Sequence, residues 1–286
     1  MTLVMMSRLR TIETPPSRLA IWACRIALFA LAVAVLVIVI ERADFLEIVP
    51  VLVTVGVALA LAALAILMAL AAFVSLWNNG GPGFLQALTA LVIGMLLLAY
   101  PGYLAVKAQK LPAITDITTD PSDPPRFEVV SKLRPADRVR YPGSVVADLQ
   151  KRAWPDIEPL DLTVTPKAAF DGVMAVFTKR RWRIVDSRAP ATGRDGHIEA
   201  IARSPVMGLR DDVTVRIRPM PEGARVDVRS ASRFGSFDFG GNAERVIALL
   251  DDIDDASSTG KPDRESRQKS TTALKPSSVP GHGGKR

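Results

Sequence analysis

The stretch of this 286-residue chain with the most chemical potential is RSASRFGSFDFGGNAER, residues 229–245. Arg229 and Arg233 are an even number of residues apart, so on a strand they share a face, while Ser230 and Ser232 share the other. Gly235, Asp238, Gly240 and Gly241 then read as a turn, and a helix is expected to begin near Asn242. Free N–H groups and the dipole at such a helix start attract anions. The candidate ligand site is therefore a phosphate or carboxylate held by Arg229, Arg233 or Arg245, with Ser230, Ser232, Asp238 and Asn242 around it. A plainer reading competes with it. Asp238 or Asn242 caps the helix, and the arginines pair with Asp211, Asp212 or Asp227.

Other chemistry finds less support. The chain has two histidines, His197 and His282. Ser230 or Ser232 can be written with His197 and Asp195 as a triad. Yet Asp195 and His197 are close neighbours in an expected hairpin, and no Gly-x-Ser-x-Gly elbow occurs. No catalytic residue is assigned. The acid clusters Asp211-Asp212 and 251–255 lack calcium-loop spacing, and the second reads as a solvated helix end. Cys24 stands alone, so neither an intramolecular disulfide nor a cysteine metal site is available. The glycines of NNGGPGF, 78–84, join two apolar runs and match no nucleotide fingerprint. No metal or cofactor is expected.

The elements that must position these residues begin at residue 161. A strand is expected at 161–164, and Thr165-Pro166 then marks a helix start, with Thr as cap and Pro in the first turn. Phe170, Val173, Met174 and Phe177 follow at helical spacing. Four strands come next, at 182–187, 197–203, 212–218 and 225–232. The last two alternate cleanly and are joined by the turn Pro221-Glu222-Gly223. A final helix is expected over 242–253. This order predicts a small α+β domain, an antiparallel sheet with helices packed on one face, over residues 161–255. Residues 107–160 read as an extended linker and the irregular start of this module, with one short helix at 144–153. Residues 256–286 read as a disordered tail.

Composition separates this module from what precedes it. Mean hydropathy is +0.22, and between Leu19 and Val106 the only charges are Arg25, Glu41, Arg42, Asp44 and Glu47. Three apolar runs, 19–40, 48–76 and 84–106, each exceed the roughly 20 residues that cross a hydrocarbon core. A backbone in lipid must satisfy its own hydrogen bonds, so the runs are expected to be three transmembrane helices. Trp22, Trp77, Tyr100 and Tyr103 lie near their ends as an aromatic belt would, and Pro101-Gly102 is expected to kink or end the third. No buried acid or histidine is expected in them. Thr54, Ser75, Gln86 and Thr89 are their main polar groups, which suits an anchor better than a transport path. Arg8, Arg10, Arg18 and Arg25 outnumber Arg42, Lys107 and Lys110. Positive-inside counting thus puts residues 1–18 in the cytoplasm and, after three spans, the module in the periplasm of a bacterial inner membrane.

The net charge of +7 is concentrated at the ends. Residues 107–255 carry 24 basic and 23 acidic side chains, so the folded module lacks the basic surface of a nucleic-acid binder.

Two stretches, ITDITTDPSDPPRF at 114–127 and RSASRFGSFDFGGNAERV at 229–246, the latter preceded by GLRDDVTVRI at 208–217, resemble a bacterial family known as domain of unknown function 1499. The resemblance implies that residues 114–253 form one module. It carries no activity with it. The expected function is a non-enzymatic membrane protein whose partners are the lipid bilayer and an envelope protein or anionic ligand. The alternative is a membrane-tethered enzyme acting on an anionic envelope substrate through the Arg229–Arg245 region.

Overall fold

In the computed structural model the described residues are 15–43, 45, 48–134 and 138–259. The first fourteen residues of the expected cytoplasmic N-terminus and 260–286 of the expected tail lie outside them. The described residues form two compact units.

The first is built on α1 (Arg18–Arg42), α2 (Ile48–Asn79) and α3 (Phe84–Ala108). All three are long and apolar enough to cross a membrane, and the protein is a membrane protein on that ground. Each packs on the other two through small residues: Ala20, Ala23, Ala27, Ala30 and Ala34 on α1; Ala58, Ala62, Ala65, Ala69 and Ala72 on α2; Ala87, Ala90 and Gly94 on α3. Small side chains let backbones approach closely. Large apolar groups such as Phe29, Leu36, Val53, Leu67 and Leu96 point outward, the arrangement a lipid surround favours. Thr54 and Thr89 donate back to Pro50 O and Leu85 O at 2.8 Å, so these hydroxyls are spent inside their own helices.

Of the two outcomes expected at Pro101, a kink or a helix end, the end does not occur: α3 runs on to Ala108, and neighbouring helices make an internal proline tolerable in lipid. One expectation is corrected. α1 continues past Ile40, and Glu41 is buried at 5% exposure with no hydrogen-bond partner for its Oε2 among the described residues. A buried acid is therefore present, at the helix end rather than its centre.

Gly94 is the closest helix approach with a direct test. A Cβ there would lie 2.5 Å from Ile66 Cγ1 and 3.1 Å from Ala62 O. Gly94→Leu is expected to destabilise the helix unit by at least about 1–3 kcal/mol, the usual cost of overpacking. At Gly56 nothing lies within 4 Å, so Gly56→Leu should be silent. Thermal melting of the detergent-solubilised protein checks both, and equal melting temperatures for the two variants would refute the packing.

The second unit is a six-stranded sheet ordered β1-β6-β5-β4-β3, with β2 also paired to β6. The strands are β1 (Asp116–Thr118), β2 (Leu160–Leu162), β3 (Arg183–Arg188), β4 (Gly196–Arg203), β5 (Arg210–Met220) and β6 (Gly223–Ser232). Helices are α4 (Ser144–Ala153), α5 (Pro166–Lys179) and α6 (Gly241–Thr259). α5 starts as its sequence dictates, Thr165 accepting from Ala168 N at 3.2 Å with Pro166 behind it. It and α6 cover one face of the sheet. There Val213, Val215, Ile217, Val226 and Val228 meet Val173, Phe177, Val246 and Leu249 in the main core.

The opposite face is covered by the chain between β1 and α4. Phe127 and Val130, the latter opening a 3-10 turn (Val130–Leu133), pack on Ile201 and Ala231. Of the extended linker and irregular module start expected over 107–160, the residues from Ile114 on are part of the module. Their Asp and Pro content resembles solvated linker, but Ile114, Ile117, Phe127 and Val130 anchor them in the cores. β1 pairs with β6 from Asp116↔Ala231 to Thr118↔Arg229. On its outer edge the Gln150 amide mimics another strand, its Oε1 accepting from Thr118 N at 3.1 Å and its Nε2 donating to Thr118 O at 2.7 Å. α6 also runs beyond the expected residue 253, so Asp254 and Asp255 are helical rather than past the helix end.

Candidate functional site

Strand alternation decides what each face of the sheet can do. On β6 the even positions, Ser230 and Ser232 included, face the helices; the odd positions, Arg225, Asp227 and Arg229, face the covering loop. The candidate ligand residues are thereby divided between two environments.

On the helix face, Asn242 is 1% exposed and joins three elements. Its Nδ2 donates to Thr115 O at 3.0 Å and to Ser232 Oγ at 2.9 Å, and its Oδ1 accepts from Ser230 Oγ at 2.7 Å and from Arg245 Nη1 at 2.6 Å. Arg245 also pairs with Asp211. Asp238 sits in the turn before α6. Asn242 lies inside the helix and links it to the sheet, rather than acting as its cap.

On the loop face two buried clusters lock the covering segment down. In the first, Asp212 is fully buried between two guanidiniums. Arg134 Nη1 donates to its Oδ2 at 2.7 Å; Arg233 donates from Nε at 3.0 Å and from Nη2 at 2.7 Å. Arg134 also donates to Ala231 O at 3.1 Å and Ser232 O at 3.0 Å. In the second, Arg229 is 2% exposed and forms a fork with Asp116, Nε to Oδ1 at 3.0 Å and Nη2 to Oδ2 at 2.7 Å. Its remaining donors reach Pro125 O and Val139 O, both at 3.2 Å. The guanidinium lies 4.4 Å from the Phe127 ring centre and 5.7 Å from that of Tyr141. Of the expected pairings, Arg233 with Asp212 and Arg245 with Asp211 are present. Asp227 instead takes Arg216 at 3.0 Å and Arg218 at 2.8 Å.

Glu199 is a third buried anchor. Its carboxylate has no exposed surface and accepts the N–H groups of Glu128, Val129 (2.9 Å) and Val130 (2.8 Å) at the head of the 3-10 turn. A carboxylate cannot donate, so His197 Nε2, 3.1 Å away, is the donor in that contact. Burial opposes its ionisation, but the bond from His197 and the backbone N–H groups outweigh it and hold its pKa below the ordinary 4.5. A depressed carboxylate adds stability that is complete above the unfolded value and lost as pH falls through the folded one. The stability gap between the wild type and Glu199→Gln should therefore be constant at neutral pH and shrink below about pH 4.5. Urea unfolding between pH 7 and pH 3 measures it; a gap unchanged over that range would show that the charge of Glu199 is irrelevant.

No nucleophile–base pair forms from the sequence candidates. His197 faces the loop side while Ser230 and Ser232 face the helices, with the sheet between them. Among the described residues no group of three His, Cys, Asp or Glu side chains could hold a metal ion.

What the loop face does offer is open space beside unbalanced positive charge. A cleft of about 550 Å³ is lined by Asp123, Arg126, Phe127, Arg140, Tyr141 and Arg229 among others. A second, of about 240 Å³, lies on the other side of Arg126, with Arg188, Arg194 and His197 in its wall. Asp123 is neutralised by Arg216 at 2.8 Å and Arg229 by Asp116. Arg126 and Arg140 have no carboxylate partner among the described residues. Sequence reasoning missed Asp116, Arg126, Arg134, Tyr141 and Glu199. Several of them lie in or beside the 114–127 stretch, whose apolar anchors were the available signal.

The family described as "Protein of unknown function (DUF1499)" matches residues 116–253. No curated protein and no solved structure matches the chain.

Proposed function

With residues 116–253 matching the model of this family of unknown function, we propose that the protein is a multi-pass inner-membrane protein that presents its α+β module in the periplasm to bind an anionic envelope ligand or partner. One observation carries the binding half of the reading. Arg134, Arg229 and Arg233 each hold a buried carboxylate, whereas Arg126 and Arg140 line an open cleft without a carboxylate partner among the described residues. Cations left unbalanced beside a concave surface attract anions. Arg229 also lines the cleft, but its charge is balanced by Asp116. Arg233 braces the loop face through Asp212, and Arg245, Ser230, Ser232 and Asn242 lie on the opposite, helix-covered face.

Sidedness rests on the excess of arginines before and within α1, Arg8, Arg10, Arg18 and Arg25, over Arg42, Lys107 and Lys110. Alkaline phosphatase fused after Ile253 tests it, because that reporter is active only outside the cytoplasm. High activity is expected. An inactive fusion, with a fluorescent protein at the same position bright, would place the module in the cytoplasm.

A further inference from the structure

We infer that the cleft between residues 122–127 and 139–141 is a phosphomonoester site, in which Arg126 and Arg140 clamp the dianion and the Tyr141 hydroxyl donates to a third oxygen. The inference rests on the anion-binding reading above and assigns it a place and a ligand class.

Tyr141 supplies the independent observation. Its hydroxyl oxygen is buried and has no hydrogen-bond partner among the described residues. A buried hydroxyl without a partner is destabilising, so such a group persists where something else offsets it. The nearby carboxylate of Asp116 is not its acceptor, because both its oxygens are engaged by Arg229. Burial, and then the charge of Asp116, push the Tyr141 pKa up to about 12. At neutral pH the group is therefore a donor in need of an acceptor oxygen, and its side chain belongs to the wall of the cleft.

Charge selects the class. The cleft carries two cations without carboxylate partners among the described residues, Arg126 and Arg140, matching the charge of nearly −2 on a phosphomonoester. Three donor groups from separate points of the wall suit three equivalent phosphate oxygens better than the two of a carboxylate. At about 550 Å³ the cleft exceeds a phosphate and falls in the size range of small-molecule sites, leaving room for the remainder of the ligand. A soluble phosphate ester and a lipid headgroup share this chemistry.

The test uses the full chain in phosphatidylcholine nanodiscs, titrated calorimetrically with glycerol 3-phosphate and, separately, with short-chain phosphatidic acid. Binding of either probe is expected, and the preferred one identifies the source. The double substitution Arg126→Ala, Arg140→Ala should weaken it at least about tenfold, as loss of charged hydrogen bonds does. Tyr141→Phe should weaken it about three- to tenfold while leaving the unliganded melting temperature unchanged or raised, since it removes an unsatisfied group. If the wild type binds but the double variant binds equally, the cleft is not the site, while the anion-binding reading stands. If the wild type binds neither probe, the phosphomonoester assignment fails. A Tyr141→Phe variant with a lower melting temperature and unchanged affinity would make the tyrosine structural and overturn its role.

Discussion

Asp212→Asn is expected to unfold most of the α+β module at room temperature. The side chain is fully buried and is the carboxylate shared by Arg134 and Arg233, themselves 8% and 5% exposed. An amide of the same shape leaves two buried guanidiniums without a counter-charge. Breaking one buried pair by removing a partner costs about 3–5 kcal/mol, and here two cations lose theirs at once. Domains have about 5–15 kcal/mol in total, so the loss takes a large share of it. The loss is also local, because Arg134 connects the covering loop to Ala231 and Ser232. Limited proteolysis of the solubilised protein should cut first near residues 128–141. A variant as resistant as the wild type would mean that Asp212 is replaceable.

Arg229→Met comes second. Methionine keeps apolar contact with Phe127 and Tyr141 but leaves the Asp116 carboxyl without its partner and buried at 4% exposure. The expected cost is about 3–5 kcal/mol, which for a unit of this size lowers the melting temperature by roughly 10–20 °C. The double variant Asp116→Asn, Arg229→Met should be less destabilised than the sum of the single changes, since the stranded charge is gone. Additivity in that cycle, read by circular dichroism melting, would show that the pair is not coupled.

These two predictions could not have been drawn from sequence alone, and the reason is separation along the chain. What is set locally was legible. Thr165-Pro166 announces α5, and the alternation of 212–218 and 225–232 announces β5 and β6. The tight hairpin between them fixes their register, which is why Asp212 and Arg233, or Asp211 and Arg245, were plausible partners in advance. The three membrane helices were legible because lipid demands length and apolarity, both composition properties. The partners of Arg229 lie elsewhere. Asp116 is 113 residues away and Val139 is 90, and no periodicity connects them. The 114–127 segment also misled by composition. Its aspartates and prolines are the chemistry of a linker in water and equally of a loop held against arginines on a sheet. The apolar Ile117, Phe127 and Val130 separate the two cases, and the irregular spacing around them hides the pattern.

Membrane anchoring rests on the energetics of α1, α2 and α3, whose large side chains face outward. Alkaline carbonate washing of membranes from cells making the full chain tests it most directly. The protein is expected to stay in the pellet and to enter solution only with detergent. Quantitative release into the carbonate supernatant would contradict the anchor and, with it, the sidedness and envelope role proposed for the module.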